Sequence, residues 1–111
     1  MYDSPSFKRA ERVSQVLHRE LGQILVNGLN DPRVGFVTVT EVRMSDDLRN
    51  ARVFVSTYGH EEECEKTLAG LKAAAGYLKK QIAKRVHLRY LPSLTFWPDT
   101  TLDTASRLDQ L

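Results

Sequence analysis

Seven basic side chains and no acidic one lie between Lys66 and Pro98: Lys66, Lys72, Lys79, Lys80, Lys84, Arg85 and Arg89. The chemistry such a run offers is electrostatic. Lysine and arginine clusters neutralise the phosphates of a nucleic acid and release its condensed counterions. The rest of the chain has the opposite character, with nine basic residues against fourteen acidic ones. The formal net charge of +2 over 111 residues therefore joins a basic span to an acidic remainder. A solvated helix face would carry the same residues, so spacing has to discriminate. Lys72, Gly76, Lys79 and Lys80 fall at i, i+4, i+7 and i+8, one side of a helix if any bend there is mild. Gly76 is expected to mark a kink between two helices or a short bend in one, leaving backbone open to a close approach. A helix that starts after a kink also offers N–H groups to phosphate. Ala74, Ala75 and Gly76 also suit tight packing against another helix or the sheet, and both readings hold together on opposite faces.

Other chemistry is thinner. Lys8, Arg9 and Arg12 form a second basic cluster. Cations are disfavoured at a helix N-terminus, so a phosphate partner is one reading and an ordinary solvated terminus the other. His60 and Cys64 stand four apart, half a metal site with no second pair to complete it. Cys64 lies within Glu61-Glu62-Glu63-Cys64-Glu65, a setting unsuited to an anionic nucleophile. Asp46 and Asp47 read as turn caps, and the glycines are too dispersed for a phosphate loop. No catalytic residue, metal or cofactor is expected. Among the aromatics, Tyr90 and Phe96 are expected to share a core-facing strand side, with Trp97 half-exposed opposite.

The elements that position these groups follow from periodicity. Val13, Val16, Leu17, Leu21, Ile24 and Leu25 recur at helical spacing, with Asn27-Gly28 as a stop. Gly22 inside that helix is expected to admit a close neighbour. Asp31-Pro32-Arg33 is a turn. Phe36–Met44 and Ala51–Thr57 are rich in β-branched residues and form an antiparallel hairpin. The imperfect alternation of the first is expected of a strand covered on one face and partly shielded on the other. Glu61, Glu62 and Glu63 suit a first helical turn. Leu68, Leu71, Ala75, Leu78, Ile82 and Val86 form a core-facing stripe. Leu88–Trp97 reads as a third strand with Pro92 at an edge or bulge. Residues 100–111 read as a final helix with Leu102, Ala105 and Leu108 or Leu111 inward. The sum is an α+β layer, helices on one face of a small mixed sheet, in one domain spanning residues 1–111 with an ordered core from about residue 7.

One cysteine excludes an intramolecular disulfide and fits a reducing compartment. No apolar run approaches the ~20 residues of a membrane helix, and the first residues lack a signal-peptide pattern. A cytoplasmic location without membrane association is expected.

The order helix–strand–strand–helix–kink–helix–strand resembles the type II KH fold. Ala74-Ala75-Gly76 stands where a KH domain has its Gly-x-x-Gly loop. An Ala-x-Gly kink at that place marks the bacterial ribosome-binding factor A family. Further stretches are similar to that family: Arg12-Val13, Asp31-Pro32-Arg33 with Gly35, Val42–Leu48 into Ala51–Val55, and Leu88-Arg89 through Pro92–Phe96. The resemblance runs from about Phe7 to the last residue. It implies a non-enzymatic assembly factor that binds the 30S ribosomal subunit or its precursor and contacts 16S rRNA. It also implies assistance in late maturation, including the 5′ end of 16S rRNA, a role in cold adaptation, and release involving a GTPase. A monomer is expected. By position the RNA-contacting kink maps to Ala74, Ala75 and Gly76, flanked by Lys72, Lys79 and Lys80. Two other classes compete: a protein module docking an acidic partner, and a small hydrolase. The latter lacks an assembled acid, base or nucleophile.

Overall fold

The computed structural model describes residues 5–99. The order is α1 (Pro5–Val26), β1 (Val37–Met44), β2 (Asn50–Thr57), α2 (Glu61–Ala73), α3 (Ala75–Arg85) and β3 (Ser93–Pro98). The strands lie in the order β1-β2-β3, with β1–β2 antiparallel and β2–β3 parallel. This is the expected α+β architecture with a mixed sheet. The final helix expected over residues 100–111 lies outside the described residues.

α1 forms because its apolar residues share one face, and that face is buried: Leu17, Leu21, Ile24 and Leu25 enter the core. It stops where Gly28 adopts a φ of +84°, a conformation that costs glycine nothing, and Gly28 N–H closes on Leu25 O at 3.0 Å. Gly22 faces open space, so no neighbour exploits it as expected. Ser14 ties α1 to the sheet, its hydroxyl donating to Ala10 O and accepting from Met44 N–H at 3.1 Å. His18 Nε2–H donates to Val39 O at 3.0 Å, which fixes its tautomer.

The sheet buries Val39, Val42, Ala51, Val53, Val55, Leu94 and Phe96 beneath the helices. The uneven alternation of β1 has a cause other than shielding. A β-bulge falls between Val39, opposite Val55, and Glu41, opposite Phe54. Thr40 is the extra residue, so Val39 and Val42 both point inward across an odd spacing. The third strand is shorter than expected. Pro92 is buried ahead of it, and pairing begins at Ser93. Tyr90 consequently lies outside the strand, 60% exposed, and only Phe96 of that pair is core.

The loop before β1 is clamped against α2. Thr67 donates to Arg33 O and accepts from Gly35 N–H, both at 3.4 Å. Gly70 is required there, since a Cβ would lie 2.5 Å from Val34 Cγ2 and 3.4 Å from Arg33 Cβ. Within the loop, Arg33 reaches back to Asp31 through its guanidinium (2.7 and 3.0 Å) and its backbone N–H (2.9 Å). Those bonds, the side-chain ones first, hold the Asp31 carboxyl down from 3.8 to about 2. A carboxyl depressed on folding contributes stability that is present above its unfolded value. That stability is lost as pH falls through the folded one.

Two outcomes are expected. Gly70→Ala should destabilise the fold by about 1–3 kcal/mol in urea unfolding, because the added methyl overpacks against Val34. In carboxyl-detected NMR titration Asp31 should titrate near 2, and Arg33→Ala should move it upward toward 3.8.

Candidate nucleic-acid interface

The basic span folds into α2, α3 and the connection to β3. Leu71, Leu78 and Ile82 are fully buried on one side of the helix pair. Lys72, Gly76 and Lys80 are exposed on the other, and Lys79 is half-buried beside them. Lys84 and Arg89 are also exposed. The spacing argument therefore places these groups on the surface it named.

The break between the helices is at Ala74 rather than Gly76. Ala74 ends α2 and begins α3 with φ −87° and ψ 1°. That bridge-region conformation is open to any residue, so glycine is not needed for it. Ala74 N–H reaches both Gly70 O (3.0 Å) and Leu71 O (3.1 Å), and Leu78 N–H returns to Ala74 O at 2.9 Å. The bend is thus a single residue wide. Ala74 and Ala75 pack against the core, while Gly76 sits in the first turn of α3 with nothing within 4 Å of where a Cβ would be. The tight packing expected of all three small residues therefore holds for Ala74 and Ala75 and not for Gly76, whose backbone is left bare.

Two cations of the span are partly engaged. Arg85 turns toward α1, 3.3 Å from Glu20 Oε2 and 3.3 Å from Gln23 Oε1. Its guanidinium helps seat α3 on α1 as well as adding charge. Arg89 lies over the Tyr90 ring, 5.5 Å from the centroid. Lys8, Arg9 and Arg12 are exposed on the first turns of α1.

Among the described residues no three His, Cys, Asp or Glu side chains gather as a metal site. His60 caps α2 by position without a side-chain bond, and the Cys64 thiol lies 3.8 Å from Gly59 O. Asp47 behaves as a turn residue, accepting from Ser45 Oγ (2.6 Å) and Arg49 N–H (3.0 Å). Among the described residues no helix is long and apolar enough to cross a membrane. Sequence reasoning passed over Arg43, Arg52 and Phe54, which share with Trp97 the sheet face that no described helix covers. Their outward places in β1 and β2 were the available signal, obscured in β1 by the bulge.

Among the described residues, a three-stranded mixed sheet with three helices, two of them meeting at a short break, defines a type II KH-like protein without the Gly-x-x-Gly loop. The family is narrower than the fold. A model of the ribosome-binding factor A family matches residues 9–111, and the chain belongs to that family. Ribosome-binding factor A of Brevibacillus brevis is 48% identical over 103 residues, covering 93% of this chain and 85% of the relative. That of Syntrophus aciditrophicus is 46% identical over 105 residues, covering 95% and 85%. The crystal structure of the Thermus thermophilus protein matches with a TM-score of 0.70 and 34% identity, over 80% of this chain and 94% of that one. A Thermus thermophilus homology model fitted into a cryo-EM map of a complex with the 30S subunit matches with a TM-score of 0.65 and 35% identity. It covers 78% of this chain and 90% of that model.

The open space at Gly76 generates an expectation for the free protein. Gly76→Ala should raise the urea midpoint, with a gain of up to about 1 kcal/mol from helix propensity. A loss of stability would show that the backbone there is not free.

Proposed function

We propose that this chain binds the 30S subunit or its precursor through the α2–α3 face and contacts 16S rRNA there. The observation that carries this reading is the row of lysines around the bare Gly76 backbone, Lys72, Lys80 and Lys84 exposed and Lys79 half-buried, in a span without an acidic side chain. Lys72, Lys79, Lys80 and Lys84 neutralise phosphates, and Gly76 with its flanking Ala74 and Ala75 lets the RNA backbone approach the helix break. Arg85 and Arg89 add charge from the flank, and Lys8, Arg9 and Arg12 from the start of α1. Selection is by RNA shape more than by base edges, since lysine is a point charge and the row carries no planar hydrogen-bonding side chain. Support for the partner comes from the family and from the fitted 30S complex of the Thermus protein.

The role is that of a non-enzymatic assembly factor, monomeric and cytoplasmic, needing no cofactor. It holds late precursor RNA, including the 5′ end of 16S rRNA, in the mature arrangement and leaves with the help of a GTPase. Cold adaptation follows physically. Mispaired RNA escapes slowly at low temperature, so differential binding to the mature arrangement matters more.

Cosedimentation with ribosomal fractions tests the reading. The protein should travel with free small subunits, and Lys79→Glu/Lys80→Glu should weaken that association at least about tenfold while leaving the fold intact. Full-strength association of the folded double variant would remove this face from the mechanism. A weak slope of affinity against salt would instead favour an acidic protein partner.

A further inference from the structure

Among the described residues the helices cover only one face of the sheet, and the other face is built unlike an idle surface. Its register places Arg43 opposite Arg52, with Thr95 next on β3. The neighbouring row is Glu41, Phe54 and Trp97. Strands lie about 4.8 Å apart, so these are adjacent rows of charge and aromatic surface. Two arginines directly opposite on antiparallel strands repel one another. Glu41 offsets one of them, pairing with Arg43 at 2.9 Å. Arg43 also sits 5.6 Å from the Phe54 ring centroid. Arg52 is exposed, with no ion pair among the described residues. Trp97 is 48% exposed, yet its indole is held: Nε1–H donates to Thr95 Oγ1 at 3.0 Å. A bond to the residue two back on the same strand side holds the ring along β3 while nearly half of the residue stays exposed.

From this arrangement we propose that the open sheet face is a second RNA-binding surface, taking a single-stranded segment. A base stacks on Trp97, and phosphates lie against Arg52 and against Arg43, which rests over the Phe54 ring. Stacking platforms of this kind combine aromatic faces on a sheet with nearby cations. A polyanion also relieves the Arg43–Arg52 repulsion, which a neutral partner would not. The surface is on the opposite side of the sheet from the helix break, so one protein would hold two RNA elements at once. The inference takes from the proposed function only that the partner is RNA.

Trp97 is the single tryptophan, so its emission reports this face alone. A single-stranded RNA decamer should quench that emission by about half or more, and a duplex of the same sequence should not. Arg43→Glu/Arg52→Glu should raise the half-saturating RNA concentration at least about tenfold. Arg52→Gln, which removes one repelling charge without adding an acid, keeps the fold and should still raise it about threefold. No quenching by the single strand, equal quenching by duplex, or unshifted saturation in both arginine variants would overturn the proposal. Absent quenching with weaker cosedimentation of Arg43→Glu/Arg52→Glu would overturn it in favour of a ribosomal-protein occupant. Cosedimentation of the unmodified protein separates the two readings. Quenching without cosedimentation would sink the subunit-binding role and leave this surface standing, and cosedimentation without quenching would do the reverse.

Discussion

Burial of Leu71, Leu78 and Ile82 on one side of the α2–α3 pair is the constraint on which the rest depends. All three are fully removed from solvent. Deleting any of them would cost about 2–5 kcal/mol, far more than a surface charge is worth. That difference fixes the hierarchy. The apolar side chains set the rotation of each helix, and the lysines at the complementary positions have only the outer face left. A single-residue break at Ala74 preserves this phasing across both helices, because its hydrogen bonds run through to Gly70, Leu71 and Leu78 with little interruption. The basic row is a consequence of the core.

The same logic explains the packing beneath it. Gly70 lets α2 press onto Val34 and Arg33, and Ala74 and Ala75 keep the break close to the core. Arg85 spans from α3 to Glu20 and Gln23 on α1, so a cation of the basic span also braces the helix layer. Charge and architecture are shared by the same side chains at that corner. The elements that carry the lysines are held from below by α1, from the side by the 31–35 loop and from the sheet by β3.

The sequence made the helices, the hairpin and the parallel return strand readable because each has a strong period: 3.6 in Leu17–Leu25 and Leu71–Ile82, near 2 in Val53–Val55. Three features were hidden for physical reasons. The bulge at Thr40 changes the period within a strand without any residue type announcing it. The break falls on Ala74 because its φ and ψ suit any residue, so Gly76 drew attention that belonged two positions earlier. Tyr90 looked like strand core until Pro92 delayed pairing to Ser93. The candidate site fared similarly. The lysines on the outer face followed from spacing, whereas the engagement of Arg85 by α1 and the arginine pair on the open sheet depend on contacts between distant segments.

Directed hydroxyl-radical probing tests the central claim most directly. Iron chelates would be tethered to single cysteines at positions 73 and 62, with Cys64 replaced by serine, and the loaded proteins bound to small subunits. The account predicts 16S rRNA strand cleavage from position 73, exposed beside Lys72, and little from position 62 on the acidic first turn of α2. Cleavage from position 62 with none from position 73, in proteins that still bind, would contradict it.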